Sequence, residues 1–147
     1  MYYKNNLNER ENFDYGPEPF VVNIEQATLQ NPYFRTALWT GEHLQLTLMS
    51  IPVGGEIGLE THPNLDQFLR LESGHGLVQM GPTPEKLIYR ANVTDGYAVF
   101  IPANTYHNLI NVGNSAIKLY SIYAPPAHKR GTVHETKEIA DAEEHNY

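Results

Sequence analysis

The 147-residue chain contains no cysteine, which excludes a disulfide framework, a thiolate metal site and a cysteine nucleophile. Any metal it binds must therefore sit on nitrogen and oxygen donors. Basic residues are also scarce, ten Lys and Arg against seventeen Asp and Glu, for a formal charge of −7. The acids concentrate at the ends: residues 1–20 carry four against Lys4 and Arg10, and residues 135–147 carry five against Lys137. A near-neutral body with acidic ends presents no basic stripe for phosphates, so neither nucleic acid nor an anionic membrane is an expected partner. Long apolar runs are missing, and the start Met1-Tyr2-Tyr3-Lys4-Asn5-Asn6 has no apolar leader segment, which makes a cytoplasmic location the default expectation. Small molecules remain as partners.

What the chain does have is turn and strand chemistry. Its length suits one domain with one core, and ten Tyr with ten Pro favour strands and turns over long helices. Residues 1–19 read as a loosely held N-terminal arm, residues 20–126 as the β-domain, and residues 127–147 as a tail with a helix packed across it. Phe20 to Ile24 is strand-like, and Asn23 with Gln26 has capping-box spacing for a short helix before Asn31-Pro32. Thr132 with Glu135 has the same spacing at the start of the tail helix, expected to run to Glu144. Between them, strands are expected at Phe34 to Trp39, Leu44 to Ile51, Glu56 to Glu60, Gln67 to Glu72, Leu77 to Met80, Leu87 to Asn92, Tyr97 to Ile101, His107 to Val112 and Ile117 to Tyr123. Their separators are turn residues, among them Thr40-Gly41-Glu42, Pro52-Val53-Gly54-Gly55, Ser73-Gly74, Asp95-Gly96 and Gly113-Asn114. So many short strands imply a sandwich or barrel, because a sheet of that size must cover or close its edges.

Two segments carry chemistry. In Gly54 to Gly74, Glu60 and His62 lie two apart on a strand and leave the same face, and a turn over Pro63 to Asp66 returns Gln67 toward them. In Gly96 to Asn111, His107 follows a Pro102-Ala103-Asn104 turn and opens a strand on which Asn111 shares its face. The pair resembles the two cupin motifs, G-x5-H-x-H-x3-4-E-x6-G and G-x5-P-x-G-x2-H-x3-N. Gly54, His62 and Gly74 match the first, with Glu60 at the first His position and Gln67 at the Glu position. Gly96, Pro102, His107 and Asn111 match the second, with Asn104 in place of a Gly that Asn can replace in the left-handed region.

The resemblance implies an all-β double-stranded β-helix, a jelly-roll barrel with a short C-terminal helix, a homodimer, and one divalent metal ion on Glu60, His62, Gln67 and His107. Where typical cupins use three His and one Glu, this chain offers two His, one Glu and one Gln, a set suited to Zn, Mn, Fe, Ni or Co. The same four residue types hold zinc in type I mannose-6-phosphate isomerases, with Glu and Gln exchanged in order. Lewis-acid chemistry on a small hydroxylated or carbonyl-bearing molecule, of the sugar-isomerase kind, is the first functional expectation. An Fe(II) dioxygenase is the second, and a non-catalytic binding module with a structural metal the third.

Each residue has a plainer reading. His62 and His107 could be hydrogen-bonded core histidines, Glu60 a solvent-facing acid, and Gln67 an amide bonded near the site. Asp66 competes with Gln67 for the acid position, but only Gln67 keeps six residues before Gly74, and Asp66 fits a turn cap. Trp39, Phe68, Phe100, Tyr106 and Tyr123 could be pocket walls, although aromatics in a small β-barrel are more often plain core, and Trp39, Tyr106, Asn111 and Tyr123 are the candidate substrate pocket. Arg70 faces away from Gln67 and suits an ion pair. His43, His75 and His145 read as solvated, while His128 and His134, which bracket Lys129-Arg130-Gly131, could approach the barrel mouth, with a basic tail anchor the favoured reading.

Overall fold

The computed structural model describes residues 14–145. Nine strands and two helices make up the described chain: α1 (Ile24–Gln30), β1 (Arg35–Thr40), β2 (Gln45–Ile51), β3 (Asp66–Ser73), β4 (Gly76–Gly81), β5 (Tyr89–Val93), β6 (Ala98–Ile101), β7 (Tyr106–Asn111), β8 (Ile117–Ala124), β9 (Val133–His134) and α2 (Lys137–His145). They form a six-stranded sheet in the order β6-β3-β8-β2-β1-β9 and a three-stranded sheet β5-β4-β7, antiparallel in every pairing. The expected all-β barrel with a short C-terminal helix is the observed architecture.

Alternation along the strands sorts residues by face. On β2, Gln45, Thr47, Met49 and Ile51 are buried; on β3, Gln67, Leu69 and Leu71; on β8, Ile117, Leu119, Ser121 and Tyr123. The register places like with like across strands: Met49 against Leu119, Leu119 against Leu71, Thr47 against Ser121, and Gln67 against Tyr123. The interior is thus apolar around Met49, Ile51, Leu69, Leu71, Ile117 and Leu119, closed by Val78 and Leu109 of the smaller sheet and by Ile57. Truncating any one of these to Ala would cost about 2–5 kcal/mol, mostly through the void left in a close-packed core. The other part of the interior, around Gln45, Thr47, Gln67, Ser121 and Tyr123, is polar, and it is there that the chemistry-bearing residues gather.

Several local expectations are corrected. Phe20 to Ile24 is no strand; the chain passes from coil into α1, whose first turn is capped as expected by Asn23 Oδ1, accepting from Gln26 N at 3.0 Å. Residues 55–60 form no regular strand, only bridges at Glu56 with Ile110 and Glu60 with His107. Gly54 and Gly58, at φ of 78° and 104°, bend this segment where a strand would run straight. The tail helix starts at Lys137 instead of Thr132, because Val133 and His134 pair with Thr36 and Arg35 as β9 and Thr136 Oγ1 caps Ile139 N. Of the expected N-terminal arm, residues 1–13 lie outside the described residues. Asp14 is buried, and its carboxylate accepts from Gly16 N, Thr40 N, Thr40 Oγ1 and Gly131 N, tying the start of the described chain to β1 and the tail.

Candidate metal centre

Glu60 and His107 exchange both backbone hydrogen bonds, Glu60 N to His107 O at 3.1 Å and His107 N to Glu60 O at 2.9 Å. In such an antiparallel pair the two side chains leave the same face, opposite one another. The irregular 55–60 segment is held in that register by Asn108, which donates from Nδ2 to Glu56 Oε1 and accepts Gly58 N on Oδ1. The sequence pattern did not single out Asn108. His62 stands two residues beyond Glu60, and its carbonyl accepts Asn104 N at 2.9 Å, joining the first motif to the turn before His107.

The outcome is a cluster in which one donor atom from each of Glu60, His62 and His107 lies within 4.8 Å of the others. His107 Nε2 is 3.5 Å from Glu60 Oε2, and His62 Nε2 is 3.8 Å from Glu60 Oε1. His107 Nδ1 lies 3.0 Å from Thr105 O, and since a carbonyl can only accept, the proton belongs on Nδ1. This leaves the neutral ring's Nε2 lone pair facing a carboxylate, an arrangement that needs a cation or an extra proton between them. Both imidazole Nε2 atoms are buried with no hydrogen-bond partner among the described residues. Burial alone would push the Glu60 carboxyl up, but an extra proton on His107 or His62 would donate to it and place a positive charge beside it, which more than reverses this and holds it below the usual carboxylate range.

Gln67 reaches the interior from the facing sheet. Its Nε2 donates to Ser121 Oγ at 2.9 Å, which orients the amide and leaves Oε1 buried without a partner among the described residues. The neighbouring Asp66 instead accepts Ala103 N at 3.0 Å, the turn-capping role, and is exposed. Tyr123, buried beside Gln67 in the register, meets the His62 ring edge-on at a centroid distance of 5.9 Å.

Of the pocket candidates, Tyr123 alone makes a described contact with this cluster. A bulge between Ala37 and Trp39 puts Trp39 opposite Leu46, on the outer face, where its indole N–H donates to Glu18 O. Asn111 is committed to a turn: Nδ2 donates to Ile51 O, Pro52 O and Ser115 O, and Oδ1 accepts Gly113 N. Tyr106, next to the inward His107, leaves the other side of β7. Phe68 and Phe100 pack edge-on outside the barrel, with Phe100 exposed, and Arg70 Nε pairs with Glu72 at 3.4 Å. His43 and His75 are exposed, whereas the His145 side chain lies outside the described residues.

His128 and His134 are the largest departure. Neither serves as a basic tail anchor: the His128 ring is edge-on to Tyr123 at 5.2 Å, and His134 is buried 6.4 Å from it. Burial, with Arg35, His134 and His62 nearby and Glu60 opposing, lowers His128 to about 3, so its ring is neutral. The favoured tail-anchor reading is overturned in favour of the alternative, approach to the barrel, and the three-dimensional contacts decide it. A groove of about 780 Å³, mostly apolar, is lined by residues of β5 and β6, and none of Glu60, His62, Gln67 and His107 lines it.

Comparison with known proteins agrees with this architecture. A family model described as "Cupin domain" matches residues 47–123. The chain is 62% identical over 131 residues to YrkC of Bacillus subtilis (strain 168), covering 89% of this chain and 70% of that one. It superposes on the crystal structure of BH2720 from Bacillus halodurans with a TM-score of 0.88 and 64% identity, covering 88% of this chain and 98% of that chain. KdgF from Halomonas sp. shares the fold alone, with a TM-score of 0.56 and 15% identity over 63% of this chain and 80% of that one. A match across half the chain, near-complete superposition on a close relative and the motif residues on facing strands lead to one conclusion: this chain belongs to the cupin domain family.

Proposed function

We propose that the chain is a metal-dependent enzyme that holds one divalent ion on Glu60, His62, Gln67 and His107 and acts on a small hydroxylated or carbonyl-bearing molecule. The observation that carries this reading is the pair of buried, unpartnered Nε2 atoms facing the Glu60 carboxylate, with His107 fixed in the Nδ1–H tautomer by Thr105. When bound, a divalent ion supplies Lewis-acid polarisation of a carbonyl or hydroxyl oxygen. The chain's own residues do the rest. One carboxylate and two neutral imidazoles leave such a centre with net charge about +1, suited to a developing oxyanion. His107 is buried while Glu60 and His62 are about a quarter and a fifth exposed, so the opening lies on their side. Tyr123 and His128 close the inner wall and keep bulk water from it.

Turnover decides between an enzyme and a binding module. Metal-loaded protein is assayed against a panel of sugar phosphates and α-keto acids, beside His107→Ala. The expected outcome is saturable turnover reduced about a hundredfold or more in the variant, consistent with loss of a metal ligand whose supporting contacts alone are worth 10–100-fold. Ligand binding without turnover across the panel would contradict catalysis and favour a non-catalytic module.

A further inference from the structure

The polar part of the interior contains more unspent donors than a metal centre uses. Arg35 opens β1 directly opposite Met49 and His134, on the inner face, and is 3% exposed. Its Nη1 lies 3.1 Å from His134 Nδ1, and since a guanidinium only donates, that nitrogen accepts and His134 carries its proton on Nε2. The remaining charge partner, Glu144 Oε2, is 3.9 Å away on a half-exposed side chain, and Arg35 Nε is buried with no hydrogen-bond partner among the described residues. A buried guanidinium so weakly compensated is costly unless a ligand completes it.

His128 stands between Arg35 and the metal centre. Fully buried Gln45 grips its backbone from both sides, donating Nε2 to His128 O at 2.9 Å and accepting His128 N at 2.9 Å and Ala127 N at 3.1 Å on Oε1. That clamp delivers the imidazole against Tyr123, which in turn touches His62, and leaves His128 Nε2 buried and unpartnered among the described residues. Arg35 through His134, then His128, Tyr123 and His62 form one continuous line of side chains across the interior.

We infer that Arg35 and His128 form an anion-recognising wall of the same site, fitting it for a small carboxylic acid with a hydroxyl or keto group on the carbon next to the carboxylate. This deepens the metal-centre reading and rests on it, because Glu60 repels an anion until a dication offsets its charge. With the ion in place, Arg35 is the remaining buried cation among the described residues, held by Glu144 at 3.9 Å and the Phe34 ring, and a neutral polyol would leave its Nε without a charged acceptor. A carboxylate satisfies the guanidinium through paired N–H···O bonds and takes a further bond from His128, while the adjacent oxygen faces the His62 and His107 side.

Calorimetric titration of the full chain tests this. Mn²⁺ is titrated first, and the loaded protein then receives lactate, 1,2-propanediol, which replaces the carboxylate by a neutral alcohol, or inorganic phosphate. The expected result is one Mn²⁺ per chain, lactate bound about tenfold or more tighter than propanediol and tighter than phosphate, and that preference lost in Arg35→Gln and His128→Asn with Mn²⁺ uptake unchanged; tenfold is the scale of one charged hydrogen bond. Wild-type discrimination is read without any variant, so a variant that fails to fold leaves the test standing. Absence of Mn²⁺ uptake overturns the metal reading and this inference with it. Uptake with no lactate binding, equal affinities for lactate and propanediol, or tighter binding of phosphate overturns this inference alone.

Discussion

At the scale of single residues, the interior is governed by where protons and lone pairs are forced to sit. Thr105 O fixes the proton of His107, Ser121 turns the Gln67 amide, and Gln45 aims His128 inward. His128 makes this measurable. In the unfolded chain it titrates near 6.5, and in the fold it is lowered to about 3 by burial first and then by Arg35, His134 and His62, against Glu60. The unfolded state thus binds its proton before the native state does. The stability contributed by neutral His128 is complete above pH 6.5 and drains away as the pH falls toward 3, with on the order of 3 kcal/mol lost between pH 7 and 4. Urea unfolding of metal-free protein between pH 7 and 4 is expected to show that slope, and His128→Asn to flatten it; an unchanged slope would place the ring in solvent. A second test concerns Asn104, which holds φ at 67° in the turn before His107. Asn104→Gly is expected to leave the denaturation midpoint almost unchanged, and Asn104→Ala to cost about 1 kcal/mol, the strain of a Cβ in the left-handed region. The replacement of Gly by Asn was readable from the motif, since Asn is among the few residues that tolerate this backbone.

Elements show where a one-dimensional pattern succeeds and where it stops. Strands β3 to β8 were legible because each has period-two alternation bounded by turn residues. Residues 55–60 also alternate, yet glycine bends and side-chain brackets from Asn108 replace regular pairing, a compensation that periodicity does not record. Trp39 was misplaced for a similar reason: one bulge at Ala37/Trp39 reverses the face of every residue after it. The segment after β8 looked like a polar tail and is instead a wall, pinned by Gln45 inside and by Asp14 and Arg130 at the rim. Arg130 donates to Gly16 O and Asp14 O while Asp14 accepts from Gly131 N, so one buried carboxylate couples residues 14–16, β1 and the tail. Asp14→Ala removes several buried hydrogen bonds at once and is expected to lower unfolding free energy by about 2–4 kcal/mol. Guanidinium denaturation checks this, and a loss below about 0.5 kcal/mol would show that the latch contributes nothing beyond the sheet.

The whole molecule divides its interior into an apolar region that holds the sheets together and a polar one that gathers the candidate metal ligands. Hydrogen-bonded partners in the polar region come from far apart in the chain, with Arg35 and His134 separated by 99 residues and Gln45 and His128 by 83. This distance explains what the sequence could show. Glu60, His62, Gln67 and His107 announce themselves through two compact motifs, whereas Arg35, Gln45, His128 and His134 belong to no motif and meet only when the sheet closes. Among the described residues, no helix is long and apolar enough to cross a membrane. The central claim is that three converging donors and a facing amide hold a metal ion. Element-resolved X-ray emission from protein purified without added metal tests it most directly, with Glu60→Gln/His107→Ala measured in parallel. The account predicts close to one transition-metal ion per chain in the wild type and background in the double variant. Equal metal content in the two, or none in the wild type even after incubation with Zn²⁺, Mn²⁺ and Fe²⁺, would contradict it.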